Sequence, residues 1–475
     1  TLIDMGSCLS ISKPAGKTMT PSSYASGNDD SLTPPQTPPT AEGGVKVIQN
    51  WPGAQATTSP VPVVMEKQQE EVPEDAPVAI PVTEDVTMEE VLTSVHQDVL
   101  LLHGAKQRYV HTPKYAIPEL QTDREMLVNV QVVGLNPIDW KAPDFGFGLP
   151  ALPCINGRDL AGKVVKAPKA PSRFRTGDIV MGVSTDYRDS RKAAYQQYAV
   201  VPDYNACKLP KGVSPLDAAP LGVAFVAAAL ALGICMGVDF NTFKDAQGPN
   251  ILNLTRSQPR ESLPQDIQSE CFDSIREDER PQPGDWVAVW GGSSATGCAA
   301  VQLAKLAGFK VIAVIDIARS GSRMLKHGAD LLVDRLDTTR AIEIIKSVTQ
   351  GNLRFSLDTR GRDTATLLAT AMSKERKDGE PRAHLIGLTG IPKLPTEGVV
   401  YHSVPIKLFH EIPSVGEGLM IWLEKLLDLR RVSTPEIVVA EGGLEGINEA
   451  LDRLRDGSVN GPRLVVPLAP VAASS

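Results

Sequence analysis

Between residues 97 and 210 the chain is written in short apolar runs punctuated by glycine and proline. Residues 99–103 (VLLLH) form one such run, closed by Gly104. Residues 126–133 (MLVNVQVV) alternate β-branched and polar positions up to Gly134. A period of two buries one face of a strand and leaves the other wet. Similar runs at 162–165, 178–183 and 198–201 predict a compact, mostly antiparallel, barrel-like domain. The pattern changes at Pro215, where helix-rich sequence begins. Residues 218–236 are the longest apolar stretch, rich in alanine and carrying Pro220, Gly222 and Gly233. They read as a buried helix near a cofactor rather than a membrane span.

Downstream the apolar runs are separated by helical periods. Trp286–Trp290 is a predicted strand, Ala295–Leu306 a helix stopped by Gly308, and Lys310–Ile315 a second, parallel strand. Leu331–Asp334, 354–359 and 383–388 are further strands, with a helical run at 342–348. The segment GGSSATG, residues 291–297, lies in the first strand-to-helix turn, the context a dinucleotide fingerprint requires. Gly292 is expected to permit the tight turn. Ser294 stands where a second glycine lets backbone approach a pyrophosphate, and Gly297 lets the helix pack on the strand. Amides of Gly291, Gly292, Ser293, Ser294, Ala295 and Thr296 would then face the pyrophosphate at the helix start. No GK[ST] follows, so the loop is not of the Walker type.

Asp316 ends the second strand, where a carboxylate binds ribose hydroxyls and disfavours a 2′-phosphate. Arg319 and Arg323 are near enough in sequence to neutralise such a phosphate. NADH and NADPH both stay open. Arg335, Gly361 and Leu388, at the ends of later strands, complete the expected nucleotide contacts. His327 is expected to be structural or superficial.

Composition changes the picture at the two ends of this body. Residues 1–85 hold 12 prolines and only Tyr24 and Trp51 as aromatics, too little apolar surface to offset the entropy of ordering. Residues 1–96 are therefore expected to be a largely disordered extension. Within it, TPPQTPP sets Thr33 and Thr37 before prolines, as phosphate acceptors or as parts of a passive tail. Met5, Gly6, Cys8 and Ser10 fit a myristoylation pattern with a second acylation site. If translation starts at Met5, two acyl chains would give peripheral membrane attachment; otherwise the expectation is a cytoplasmic protein. Residues 239–283 carry nine acidic and five basic residues and few aliphatics. They are expected to be a surface insertion, either covering the mouth of a cleft or merely solvated.

A net charge of -8 argues against a nucleic-acid-binding body, since no basic stripe could neutralise phosphates. The six cysteines, Cys8, Cys154, Cys207, Cys235, Cys271 and Cys298, include no CxxC pair. They read as isolated thiols of a reducing compartment.

Taken in order, VLLLHG (99–104), GLNPIDWK (134–141), GRDLAG (157–162), FRTGDIVMG (174–182), GGSSATG (291–297), HGADLLVD (327–334) and GGLEGINEALDRLRDGSVNGPRLVV (442–466) resemble the medium-chain dehydrogenase/reductase superfamily. Within it the chain looks most like fungal trans-acting enoyl reductases of polyketide biosynthesis. The resemblance implies an α/β protein with a GroES-like β-rich catalytic domain at 97–225, completed by 430–475. A Rossmann cofactor domain would occupy 226–429 and contain the 239–283 insertion. It further implies NADPH as the usual cofactor, although Asp316 departs from the small residue common in this branch. A polyketide synthase is the implied partner.

Two departures from the zinc alcohol dehydrogenases bear on chemistry. Their metal-binding cysteine lies in C-x-x-D, where this chain has Asn136, Pro137, Ile138 and Asp139. Their G-H-E-x-x-G supplies a histidine, where this chain has Gly157, Arg158 and Asp159. Without thiolate and imidazole, no zinc is expected at the catalytic position. An enone or enoyl thioester can be reduced without a metal if donors face the carbonyl oxygen where charge grows. Lys141 is the first-choice polar participant, by hydrogen bonding substrate or the nicotinamide ribose; the competing reading is an exposed lysine after a tryptophan. Asn136 is a candidate cofactor contact that also shapes the loop with Asp139. Tyr187 and Tyr195 flank a polar loop expected to overhang the substrate, and either phenol is a candidate proton donor. Relatives often place a threonine in the helix after Gly222; this chain has none there. Quinone reduction and a non-enzymatic nucleotide-binding role are the alternatives.

Overall fold

The computed structural model describes residues 95–375 and 379–468. The disorder expected of 1–96, the Gly6 and Cys8 acylation pattern and the Thr33 and Thr37 sites fall outside these residues, apart from the last two positions of that range.

The first domain is built on β3 (Glu125–Gly134), the strand whose alternation is plainest in the sequence. The other strands of this part are β1 (His96–Leu102), β2 (Val110–Ala116), β4 (Cys154–Ile155), β5 (Asp159–Lys166), β6 (Ile179–Val183), β7 (Tyr198–Pro202) and β8 (Ala206–Lys208). One sheet runs β2-β1-β4. In the larger sheet β3 pairs antiparallel with β5 and with β7. Val99, Leu102, Met126, Val128, Val164 and Ala199 from these strands meet in one apolar core.

The second domain is a parallel sheet. Its strands are β9 (Trp286–Trp290), β10 (Lys310–Ile315), β11 (Leu331–Asp334), β12 (Phe355–Asp358), β13 (Ala383–Gly387) and β14 (Val399–Ser403), in the order β11-β10-β9-β12-β13-β14. That is the doubly wound dinucleotide-binding order, with its switch point between β9 and β12. Both faces are covered, so the strands are apolar at consecutive positions. Val287, Val289, Val311 and Ala313 point into one core and Ala288, Trp290, Ile312 and Val314 into another.

The chain then returns to the first domain. β15 (Ile437–Val439) lies parallel to β16 (Arg463–Pro467), and β16 pairs antiparallel with β3, Val465 opposite Gly134. Residues 463–467 thus extend the catalytic sheet. The helix Gly222–Leu230 spans the boundary expected at 225/226, because it packs in the large core of the second domain while its first turn touches β5. Pro215–Cys235 is long and apolar enough to cross a membrane, but its most apolar window is 94% buried in the protein.

The 239–283 segment differs from the expected surface excursion. Phe240, Phe243, Ile251, Leu252, Ile267 and Cys271 are all buried in the second domain's core. Phe240 stacks on Trp422 of the helix Pro413–Asp428, with ring centroids 4.4 Å apart, and Trp422 Nε1 donates to the Ala246 carbonyl. Phe243 also meets the Trp422 ring, edge-on at 5.8 Å. Most of the segment's charged residues are exposed, but Glu279 is fully buried and paired with Arg382 at 2.7 Å.

Candidate active site

The phosphate loop joins β9 to the helix Ala295–Leu306. The left-handed residue is Gly291 (φ +76°), one position earlier than the tight turn expected at Gly292. A Cβ at Gly291 would meet the Thr359 hydroxyl and lie 2.9 Å from Arg360 Cγ. A Cβ at Gly297 would fall 2.8 Å from Gly292 Cα and closer still to the Gly291 carbonyl. The helix therefore starts tightly against its own loop, leaving a cradle that a side chain would fill, as a pyrophosphate seat requires. Ser294 is the helix cap: its Oγ accepts from Gly297 N at 3.0 Å and donates to Thr359 Oγ1 at 3.0 Å. Thr359 in turn lies 3.2 and 3.1 Å from the carbonyls of Trp290 and Gly291. Ser293, Ala295 and Thr296 are partly exposed in this loop, and Gly292 is buried against Ala313.

Asp316 caps the helix Ile317–Lys326 by accepting from Arg319 N, and its other oxygen is 3.7 Å from Arg335. Arg319 is exposed. Arg323 is engaged elsewhere: it pairs with Glu436 at 2.6 Å and approaches the Ser293 carbonyl at 3.4 Å. Asp316 and Arg335 are the two opposite charges that stand together at the ends of β10 and β11. Gly361 N donates to Asp358 Oδ1 and Leu388 N to the Asp358 carbonyl, which places both at the carboxyl edge of β12 and β13.

The first domain contributes a buried polar network. Asn136, which caps the helix Pro137–Phe145, donates from Nδ2 to Asp159 Oδ2 at 2.8 Å and accepts at Oδ1 from Arg463 at 2.8 Å. Its backbone N–H donates to Asp139. Asp159 Oδ1 accepts from Val223 N and so fixes the helix after Gly222. Burial pushes the Asp159 carboxyl up to about 6, against the pull of its hydrogen bonds and of Arg463. Asn136 is thus a structural hub whose carboxamide is held on both sides. Arg463 went unnoticed in the sequence; the available signal was a lone arginine opening the apolar strand RLVVP.

Lys141 is half-buried on the same helix, with Nζ 5.6 Å from the Trp140 ring centroid and no ion pair among the described residues. Burial, and next the Arg360 guanidinium, hold its pKa below the ordinary lysine value. Tyr187 is partly exposed beneath the Arg158 guanidinium, 5.2 Å from its ring centroid. Tyr195 differs from the overhanging phenol expected of it. It is fully buried, edge-on to Tyr109 at 5.3 Å, and burial followed by the nearby Asp139 charge raises its pKa far above the usual value. A core position against Gly157 encloses it.

At the positions where zinc alcohol dehydrogenases offer cysteine and histidine, this chain presents a committed carboxamide and a guanidinium, neither of which is a zinc ligand. Among the described residues, Cys235, Glu270 and His402 of the edge strand β14 bring metal-type atoms within 4.8 Å of one another. There His402 Nδ1 is already hydrogen-bonded to Glu270 at 2.7 Å.

The alcohol dehydrogenase GroES-like domain family matches residues 122–211. The solved structure of an alcohol dehydrogenase superfamily protein from Novosphingobium aromaticivorans superposes with a TM-score of 0.59 at 18% identity, over 78% of this chain and 100% of that one. The chain shares the fold of that protein. The Escherichia coli quinone oxidoreductase complexed with NADPH likewise superposes, with a TM-score of 0.56 at 16% identity over 78% of this chain and 99% of that one. In sequence, the chain is 29% identical over 365 residues to a trans-enoyl reductase of Fusarium mangiferae, covering 72% of this chain and 92% of the relative. The Rossmann-type dinucleotide-binding fold and the GroES-like domain are both present.

Proposed function

We propose that the protein is a zinc-independent, NAD(P)H-dependent reductase of an activated carbon–carbon double bond, in an enoyl thioester or enone. The observation that carries this reading is Lys141, an unpaired, half-buried cation that feels Arg360 of the other domain, where the zinc ligands of alcohol dehydrogenases are replaced. When bound at the loop, a reduced nicotinamide supplies hydride to the β-carbon. The Gly291–Gly297 cradle and the Ser294 cap hold the nucleotide phosphates against the helix start. Lys141 donates a hydrogen bond to the carbonyl oxygen on which charge grows. A lowered pKa makes that ammonium a stronger donor. Tyr187, under Arg158, is the phenol placed to supply the α-carbon proton; Tyr195 stays in the core. Asp316 and Arg335 together set the choice between ribose hydroxyls and a 2′-phosphate. The trans-enoyl reductase relative supports an acyl group delivered on a carrier, with a polyketide synthase as partner.

The test is steady-state oxidation of NADH and NADPH with enoyl thioesters, free enones and quinones. Turnover of enoyl thioesters or enones is expected. Nucleotide binding without turnover of any acceptor would sink the enzymatic reading in favour of a nucleotide-binding interaction protein. Turnover of quinones alone would move the assignment to quinone reduction, which the likeness to the Escherichia coli enzyme makes the second reading.

A further inference from the structure

Three side chains from distant parts of the second domain converge at the edge of its sheet. Cys235 ends the apolar stretch Pro215–Cys235, Glu270 lies on the helix Gln265–Asp273, and His402 lies on β14. Their ligand-type atoms are within 4.8 Å of one another. Behind His402 stands a second imidazole. His402 pairs with Ile386 of β13, so His384, two residues back, shares its face of the sheet. His384 Nδ1 and His402 Nε2 are 2.9 Å apart, and His402 Nδ1 is 2.7 Å from Glu270 Oε1. At the other end His384 Nε2 is 3.7 Å from Glu279 Oε2, and this nitrogen has no hydrogen-bond partner among the described residues. Glu279 is itself held by Arg382 at 2.7 and 2.9 Å. His384, His402 and Glu279 are all buried. Burial favours neutral rings, and two neutral imidazoles bring two protons to three gaps. Along Glu279, His384, His402 and Glu270 one gap therefore lacks a proton, and the orphaned His384 Nε2 marks it. A buried lone pair then faces a buried carboxylate, which is costly.

We infer that Cys235, Glu270 and His402 bind one divalent, zinc-type metal ion that pins the 239–283 segment to the sheet edge. Thiolate, carboxylate and imidazole are the donors such an ion takes. Bonds of about 2.0 to 2.3 Å set tetrahedral donors about 3.3 to 3.8 Å apart, so each pair adjusts by no more than about 1 Å. One thiolate and one carboxylate cancel the charge of the ion and leave the buried group neutral. The proton count closes as well. The ion takes His402 Nδ1, and each imidazole changes tautomer. His402 Nε2–H then donates to His384 Nδ1, and His384 Nε2–H turns to Glu279. The thiol proton leaves to solvent, one for each ion bound. A ligating histidine whose other N–H is held by a further partner is how metal sites fix ring and tautomer. Water reaches the fourth position past Glu270, whose side chain is 16% exposed. In the sheet order β14 stands three strands from β9 and its phosphate loop, so the ion is structural and the metal-free reduction proposed above is untouched.

The test is titration of the full chain with Co²⁺ and then Zn²⁺ after dialysis against a chelator, for the parent, Cys235→Ala, Cys271→Ala and Glu270→Gln, with a thermal melt of each. Cys271 is the neighbouring buried thiol and is not one of the three donors. One equivalent of Co²⁺ should give thiolate-to-cobalt charge-transfer absorption in the parent and in Cys271→Ala, and none in Cys235→Ala. Zn²⁺ should displace the cobalt and, at about 100 times its Kd, raise the parent's melting midpoint by about 5 °C. Glu270→Gln keeps the shape of a partly exposed side chain and so tests the site even if Cys235→Ala does not fold. It should weaken Co²⁺ by more than about tenfold, the loss that follows removal of an outer partner alone. A parent chain that takes up no Co²⁺ would overturn the proposal and leave the two imidazoles sharing protons only. A band that persists in folded Cys235→Ala, or unchanged affinity in Glu270→Gln, would overturn it too, as an ion held elsewhere on the chain.

Discussion

The two sides of the cleft are made of different materials. On the nucleotide side the geometry is carried by backbone: a left-handed Gly291, a close approach at Gly297 and a helix start capped by Ser294. On the catalytic side it is carried by buried side chains that hold one another, Asn136 between Asp159 and Arg463, with Asp139 beneath. Backbone sites tolerate no added atom but are indifferent to pH. Side-chain networks can absorb a substitution of similar shape, yet they titrate. The first should fail all at once and the second by degrees.

The largest expected effect is on the nucleotide side. Gly297→Val drives a side chain into the loop's own backbone, so titration with NADPH and NADH should detect no binding by a chain that still melts cooperatively. Retained affinity would break the placement of the phosphate cradle. On the catalytic side, Asp159 makes stability depend on pH. Its folded carboxyl titrates near 6 and an unfolded aspartate near 3.8, so between these values the folded chain holds the extra proton. The group's favourable contribution is present below about 4 and is lost as pH rises through 6, a change of about 3 kcal/mol. Denaturant melts should show that slope in the parent and its absence in Asp159→Asn; equal slopes would remove the buried carboxyl from the account.

Lys141→Met keeps the stem and removes the ammonium. Turnover of an activated alkene should fall about 100-fold, the low end for a lost acid–base or donor group, and an unchanged rate would make Lys141 a surface residue. The smallest effect concerns the ribose end. Asp316→Asn should shift the ratio of NADPH to NADH affinity toward NADPH by about tenfold, through removal of like-charge repulsion toward a 2′-phosphate. No shift would mean that Arg335 already neutralises that carboxylate.

The 239–283 segment and the GGSSATG loop show what governs legibility. In the loop, function and local sequence coincide: glycines, a capping serine and flanking apolar strands lie within about 30 residues, the length of one βαβ unit. Phe240 of the segment is buried on Trp422, 182 residues further along the chain, whereas its charges suggested solvent. Tyr195 was misread for a related reason. A tyrosine in a polar, charged stretch looks exposed, but here the ring turns inward on Tyr109 and Gly157.

The sequence by itself determined the strands on either side of the phosphate loop, the loop itself and the absence of thiolate and imidazole at the zinc positions, because each depends on residues close together in the chain. Tertiary structure decided that Arg463 returns on β16 to hold Asn136 and that Arg323 is taken by Glu436. Those pairings join positions 327 and 113 residues apart, and no local period or spacing records them. They are set by which strands pair and by how two separately cored domains meet, so the electrostatics of the cleft exist only once the chain is folded.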